Sequence, residues 1–300
     1  MKHQLYNPYY YRKHPTKSDE VASEINPHID TLVFLYKNPL GRLLRVIARR
    51  PFMGSLMGWL YDTRWSKRFI EPFIKSLAIA TDELEKPVEA YRTFNEFFSR
   101  KLKPGTRIIE GPATTLSSPA DGKLLVVDDV STTATFFVKK RPFDLPRVLS
   151  DSILADQFTG CTLLMFRLAP PDYHRFHFPA DGTVILSKRI SGYLESVNPL
   201  VFKFGYQPLT TNERHLVLLQ TEHFGVIAII IVGAMMVGSI NLTFDPMAHH
   251  RKGDEMGYFA FGGSTVIVLI KQGLIIPSDT FLRHSLQGFE TEVRMGEAVN

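Results

Sequence analysis

From Phe224 to Phe244 the chain reads FGVIAIIIVGAMMVGSINLTF without one charged residue, and this stretch forces a choice between two folds. It is long enough to cross a bilayer as a helix. Its composition argues for sheet instead, because isoleucine and valine crowd the first half while Gly233, Gly238, Ser239 and Asn241 interrupt the second. β-Branched runs broken by turn residues read as strands covered on both faces. The segment is therefore expected to form two buried strands joined by a turn.

The surrounding sequence has the same texture. After KLKPGTR, which ends at Arg107, short β-rich runs recur between Gly, Pro, Asp and Asn: KLLVVDD, TATFFVKK, CTLLMFRLA, GTVILSKRI, HLVLLQ and STVIVLI. No fixed period relates them, so their contacts must be long-range. Upstream, from about Thr31 to Leu102, the texture is helical. Leu40, Leu43, Leu44 and Ile47 recur at helix spacing, with Arg42, Arg45, Arg49 and Arg50 between them. Trp59, Tyr61 and Trp65 follow among Arg64, Lys67 and Arg68. Rings and long cations both suit a lipid headgroup boundary; the alternative is that the apolar stripe packs on the protein and the arginines are solvated. Thr93-Phe94-Asn95-Glu96 has the form of a capping box, with Phe94, Phe97 and Phe98 on the inward face. The expected fold class is α+β: an N-terminal extension over 1–30, a helical membrane-facing region over 31–105, and a β-rich catalytic domain over 106–300.

Composition narrows the partners. A chain of 300 residues that is 44% hydrophobic can bury one large core or two smaller ones. Its net charge of +5 suits an anionic membrane, a nucleic acid or neither. The single cysteine, Cys161, excludes an internal disulfide and any multi-cysteine zinc site, and is expected to be an ordinary buried residue. The opening MKHQLYNPYYYRKHPTK has no apolar stretch behind its charges. No secretory signal is expected, and the cytoplasm is the expected compartment.

Three stretches of the β-rich half hold residues suited to chemistry. Ser118 to Lys123, SPADGK, places Asp121 before a glycine, which is first of all a turn signal. Leu168 to Gly182, LAPPDYHRFHFPADG, offers Asp172, Tyr173, His174, Arg175 and His177. Gly257 to Leu269, GYFAFGGSTVIVL, sets Gly262 and Gly263 directly before Ser264 and Thr265. His174 and His177 could share a metal ion, but with His249 and His250 they match no known zinc spacing, and no metal is expected. Imidazole moves protons near neutral pH, so Asp121, a histidine and Ser264 could form an Asp-His-Ser constellation. Spacing alone does not show that they meet.

LAPPDYHRFH, KGDEMGYFAFGGST (Lys252–Thr265), SPADG and FNEFFSRKLKPGTR (Phe94–Arg107) together resemble the phosphatidylserine decarboxylase family, in its bacterial form with GGST in place of LGST. SGYLESVNPLVF and Asn212-Glu213-Arg214 agree more weakly. The resemblance runs from about Asn38 to the C-terminus; the first thirty or so residues lack a counterpart. It implies self-cleavage between Gly263 and Ser264 into chains 1–263 and 264–300. Ser264 would attack the preceding carbonyl, with His177 as its base and Asp121 orienting that base. Elimination from the resulting ester and loss of ammonia would leave a pyruvoyl group at 264 as the covalent cofactor. That group would form a Schiff base with phosphatidylserine and release CO2 and phosphatidylethanolamine, with His174 as acid-base residue and Thr265 supporting the oxyanion of the cleavage step. Gly263 would supply the unusual torsions that closing a five-membered ring requires.

The implied substrate is a diacyl lipid, so the site must open at a bilayer, and the region from Arg42 to Lys67 becomes the expected docking face. The protein would be peripheral, on the cytoplasmic side of the membrane. It would work as a noncovalent pair of chains, with no nucleic acid partner and with a homo-oligomer left open. Two alternatives remain: a serine hydrolase using Asp121, His177 and Ser264 without self-cleavage, and a noncatalytic membrane-binding scaffold. Both predict an intact chain.

Overall fold

The structure, a computed structural model, describes residues 10–13, 20–24, 29–130, 135–136, 141–235, 240–246, 248–262 and 264–300. Gly238, Ser239, Gly263 and most of TATFFVKK lie outside them.

The strands in chain order are β1 (Tyr10–Arg12), β2 (Val21–Ser23), β3 (Gly122–Val130), β4 (Thr135–Phe136), β5 (Arg141–Pro142), β6 (Cys161–Leu168), β7 (Arg175–His177), β8 (Gly182–Ile190), β9 (Arg214–Gln220), β10 (Val226–Val232), β11 (Ile240–Leu242), β12 (His249–His250), β13 (Glu255–Phe259), β14 (Ser264–Ile270) and β15 (Glu290–Val293). Ten build one sheet in the order β12-β8-β9-β10-β14-β6-β3-β15-β1-β2, and β11-β13-β7 form a second. Every pair in the large sheet is antiparallel except β1 with β15.

The apolar runs of β6, β10 and β14 are continuous because both faces of the sheet are covered there, whereas β8, next to the edge strand β12, is largely exposed. Val266, Val268 and Ile270 of β14 join Ile229 and Ile231 of β10 in a core shared with Phe176, Met256 and Phe259 of the small sheet. The alternate residues, Ile267, Leu269 and Ile230, pack on the other face with Val148 and Leu154. Alternation therefore distributes one β-branched run between two cores. The uncharged segment at Phe224 accordingly forms strands, and among the described residues no helix is long and apolar enough to cross a membrane. One detail differs from expectation: β11 lies in the second sheet and is only half-buried. The N-terminal extension differs too, because β1 and β2 add to the edge of the large sheet.

The helical region is a chain of short helices: α1 (Ile29–Lys37), α2 (Pro39–Ala48), α3 (Pro51–Tyr61), a 3-10 turn at Arg64–Phe69, α4 (Ile70–Leu77) and α5 (Phe94–Phe98). Asn38 caps α2 through Leu40 N at 2.9 Å, and Pro39 opens it. Thr93 caps α5 through Glu96 N at 3.1 Å. Phe94, Phe97 and Phe98 are buried with Ile70 and Leu77 in a third core.

The orientation of α2 inverts the simple amphipathic reading. Arg45 is 7% exposed, whereas Leu43 is 64% and Ile47 49% exposed. Arg45 pairs with the buried carboxylate of Glu195, joined by Arg49 at 3.2 Å, and its guanidinium lies 4.3 Å from the Tyr206 ring. Tyr36 donates its hydroxyl to the other Glu195 oxygen at 2.7 Å. A buried charge must be paired and hydrogen-bonded, and Glu195 supplies that partner from the far side of the chain. The leucines are left facing outward.

Candidate active site

Ser264 is the first residue of β14, opposite Leu168 of β6. Its side chain is fully buried, and among the described residues its Oγ has no hydrogen-bond partner. The approach to it is fixed from the helical region. Asn95 accepts a hydrogen bond from Phe261 N at 3.1 Å and donates one to Gly58 O at 3.0 Å. The Phe261 ring packs against Tyr61, Phe94 and Phe98 at 4.7, 4.9 and 5.1 Å. Gly262 then adopts φ 138°, a region open essentially to glycine. So the first glycine of the pair does mark a backbone departure just before the serine, while Gly263 lies outside the described residues.

His174 sits in the loop between β6 and β7. Its Nδ1–H donates to the carbonyl of Asp172 at 2.9 Å, which leaves Nε2 as an acceptor, buried and without a partner. Phe98 covers the ring at 4.0 Å between centroids. Burial, reinforced by the nearby charge of Arg100, pulls its pKa down to about 3. His174 is thus a neutral base held in an apolar box. Arg100 itself is buried and donates to the carbonyls of Pro171 and Asp172 at 2.7 and 3.0 Å. Lys123 grips the Asp172 carboxylate at 2.9 Å. The loop is thereby held from beneath through both its backbone and its acid.

His177 ends β7. Its Nδ1–H donates to Gly253 O at 2.9 Å, and Nε2 accepts from the Tyr173 hydroxyl at 3.3 Å. Burial lowers its pKa, opposed by the Gly253 carbonyl and the charges of Glu255 and Asp121. Asp121 is bound elsewhere. Its carboxylate accepts from Arg107 at 2.5 to 3.1 Å and from Met295 N at 2.8 Å. The structure therefore brings no hydrogen bond between Asp121 and His177: a backbone carbonyl orients the imidazole, and Asp121 acts on it through its field. Arg107 continues to Glu83 at 3.0 Å, and Glu83 to Arg294 at 3.1 Å. Thr265 is buried opposite Arg167. Strand alternation turns its side chain to the face opposite that of Ser264.

A cleft of about 140 Å3 adjoins these groups, lined by Arg100, Arg107, Asp121, Asp172, Tyr173 and Arg294 among others. Sequence reasoning had passed over Arg107, Asn95 and Gly253 as site residues. Arg107 and Asn95 lie inside the quoted FNEFFSRKLKPGTR, where their only local signal is polarity beside a turn or cap. A carbonyl such as that of Gly253 carries no side-chain signal. Among the described residues no group of three or more His, Cys, Asp or Glu could hold a metal ion. Cys161 is buried, which pushes its thiol up to about 12 and leaves it unreactive.

The chain is similar to known proteins over most of its length. The family model described as Phosphatidylserine decarboxylase matches residues 94–300. A phosphatidylserine decarboxylase proenzyme of Chlamydia pneumoniae is 42% identical over 270 residues, covering 90% of each chain. Those of Chlamydia trachomatis serovar L2 and Fusobacterium nucleatum are 39% and 37% identical, covering 89% and 94% of each chain. With a matched region that contains the buried serine and both histidines, and relatives 39% and 42% identical over some nine-tenths of its length, this chain belongs to the phosphatidylserine decarboxylase family.

Proposed function

We propose that the chain is a proenzyme that cuts itself between Gly263 and Ser264, converts Ser264 to a pyruvoyl group, and decarboxylates phosphatidylserine to phosphatidylethanolamine. The observation that carries this reading is the Ser264 hydroxyl, fully buried and without a hydrogen-bond partner among the described residues. Leaving such a group unsatisfied costs about 1–3 kcal/mol, a cost that makes sense for a hydroxyl reserved for reaction.

The chain's own residues suit the cleavage step. His177 is neutral, with its tautomer fixed by Gly253 and its Nε2 held only by the 3.3 Å contact to Tyr173. Displacing that phenol frees the lone pair to take the Ser264 proton. Oγ then attacks the Gly263 carbonyl and exchanges the amide for an ester. Elimination across Cα–Cβ of residue 264 expels the Gly263 carboxylate, and water replaces nitrogen to release ammonia. The surroundings fit the product. The group is made from residue 264 itself, so no separate cradle is needed, and the unpartnered Nε2 of His174 supplies a neutral acceptor in a dry setting. A pyruvoyl group provides an electrophilic carbonyl and an electron sink for the pair released as CO2 departs. His174, with its neutral, buried Nε2, is the residue assigned to proton transfer at the carbon that loses CO2.

Lipid access is proposed through the outer surface of α2 and α3. Leu40, Leu43, Ile47, Phe52, Leu56 and Trp59 are exposed there, and Arg42, Arg50, Arg64 and Lys67 are exposed around them. Apolar side chains ringed by cations match an anionic bilayer surface, so attachment is peripheral and, on this reading, cytoplasmic. The test of the central claim is intact mass under denaturing conditions, for the wild type beside Ser264→Ala. Two fragments meeting at 263/264, the smaller bearing an N-terminal pyruvoyl, with an uncut mutant, support it. An uncut wild type sinks it and returns the hydrolase and scaffold readings.

A further inference from the structure

We propose that the N-terminal residues 10–13 and 20–24, strands β1 and β2 with Glu24, act as a strap that keeps the small chain, 264–300, on the enzyme after self-cleavage, locked by the Glu24–Arg167–Glu290 cluster. The proposal rests on the self-cleavage reading. Once the bond at 263/264 is cut, the small chain has no covalent hold. Its β14 is secured between β10 and β6. Its β15 is the weaker end, short and bordered by β3 on one side and only by β1 on the other. Without β1, β15 would become an unprotected edge strand, the kind from which sheets fray.

The strap meets β15 directly. Tyr11 and Arg12 pair in register with Glu290 and Thr291, and the Arg12 guanidinium lies 4.9 Å from the Phe289 ring. β2 folds back on β1 and brings Glu24 to the interior. There Arg167, on β6, donates to Glu24 at 2.8 and 3.1 Å and to Glu290 at 2.7 to 3.2 Å. All three side chains are buried. One guanidinium thus joins the N-terminal segment, the body of the large chain and the small chain. If Glu24 is lost, Arg167 keeps Glu290 but gives up the two charge-assisted hydrogen bonds that tie this junction to the N-terminal segment.

The junction also lies under the reaction site. Arg167 stands opposite Thr265 on one side and Lys123 on the other. Lys123, which Tyr11 covers at 5.4 Å, holds the Asp172 carboxylate. Asp172 in turn offers its carbonyl to His174. Release of β15 would also withdraw Arg294 from Glu83 and the Met295 amide from Asp121. The strap lies outside residues 94–300, the segment matched by the family model.

The experiment uses the full-length, self-cleaved protein beside Glu24→Gln and a form lacking residues 1–24. Each is passed through gel filtration in graded urea, and the small chain remaining on the large one is weighed by mass spectrometry. Both variants are expected to lose it at lower urea than wild type, with release in buffer at least about tenfold faster. Glu20→Gln, which removes only the exposed pair with Lys13, is expected to match wild type. If the truncated form does not fold, Glu24→Gln decides alone. Release at the wild-type urea concentration from a cleaved variant overturns the strap and leaves the functional reading standing. A wild type that never cleaves overturns both, and the masses of the starting material tell the two failures apart.

Discussion

The Tyr173 hydroxyl rests on Nε2 of His177, 3.3 Å away, and so occupies the one nitrogen of that ring able to accept a proton, since Nδ1–H donates to Gly253 O. On the proposed self-cleavage mechanism this contact would hold the base in a parked state. Removing the phenol should release it. Tyr173→Phe is expected to self-cleave about fivefold faster, the equivalent of one neutral hydrogen bond of about 1 kcal/mol. A time course of fragment 264–300 on denaturing gels measures this. Slower cleavage would mean that the phenol relays the proton instead of blocking it.

His177→Ala removes the base itself. General-base catalysis contributes about 100-fold or more, so the same time course should slow by at least that factor. His174→Ala should cleave at the wild-type rate and lose decarboxylation, since its Nε2 serves the second reaction. Labelled CO2 release separates the two. Equal loss of cleavage in both variants would reject this division of labour.

Arg107 and Asp121 form a nearly buried pair, with side chains 9% and 11% exposed. Breaking such a pair from one side leaves an uncompensated charge. Arg107→Gln should therefore lower unfolding stability by about 3 kcal/mol, read from urea transitions in the uncut Ser264→Ala background. An unchanged transition would show that Met295 N–H alone sustains the carboxylate.

The buried His174 makes stability depend on pH. Its pKa falls from 6.5 to about 3 on folding. Above pH 6.5 neither state binds a proton there. Below it the unfolded chain binds a proton that the folded chain refuses, so stability drops as pH falls from 6.5 toward 3, by about 1.4 kcal/mol per unit from this group. His174→Asn, again in the Ser264→Ala background, should show a shallower loss between pH 6 and pH 5. Parallel pH profiles would contradict the burial argument.

Docking should depend on the outward face of α2 and hardly on Arg45. Leu43→Glu with Ile47→Glu is expected to cut binding to anionic vesicles by more than about tenfold, because each buried leucine or isoleucine is worth about 2 kcal/mol, while leaving self-cleavage intact. Arg45→Glu should instead destabilise the fold through Glu195. Flotation assays and thermal melts on the same samples test both statements, and vesicle binding that survives the double substitution would remove α2 from the docking face.

Much of this protein was fixed locally. The composition of the β-branched runs favoured strands over a membrane helix, Thr93 and Glu96 marked the opening of a helix, and GGST set a permissive backbone before a hydroxyl. Short-range sterics and hydrogen bonds decide such features, and neighbouring residues carry them. Three matters needed the folded chain. Arg45 and the leucines of α2 share one helical period, and only Glu195, met across the fold, turned the arginine in and the leucines out. Asp121 reads as a turn residue or a triad member, and only Arg107 and Met295 showed where its carboxylate is bound. The N-terminal residues had no pattern of their own, and found theirs in the edge of β15 and the charge of Arg167. In each case the deciding partner lies far away in sequence. A charge is stable in the interior only beside its counter-charge, and which counter-charge it meets is settled by tertiary packing.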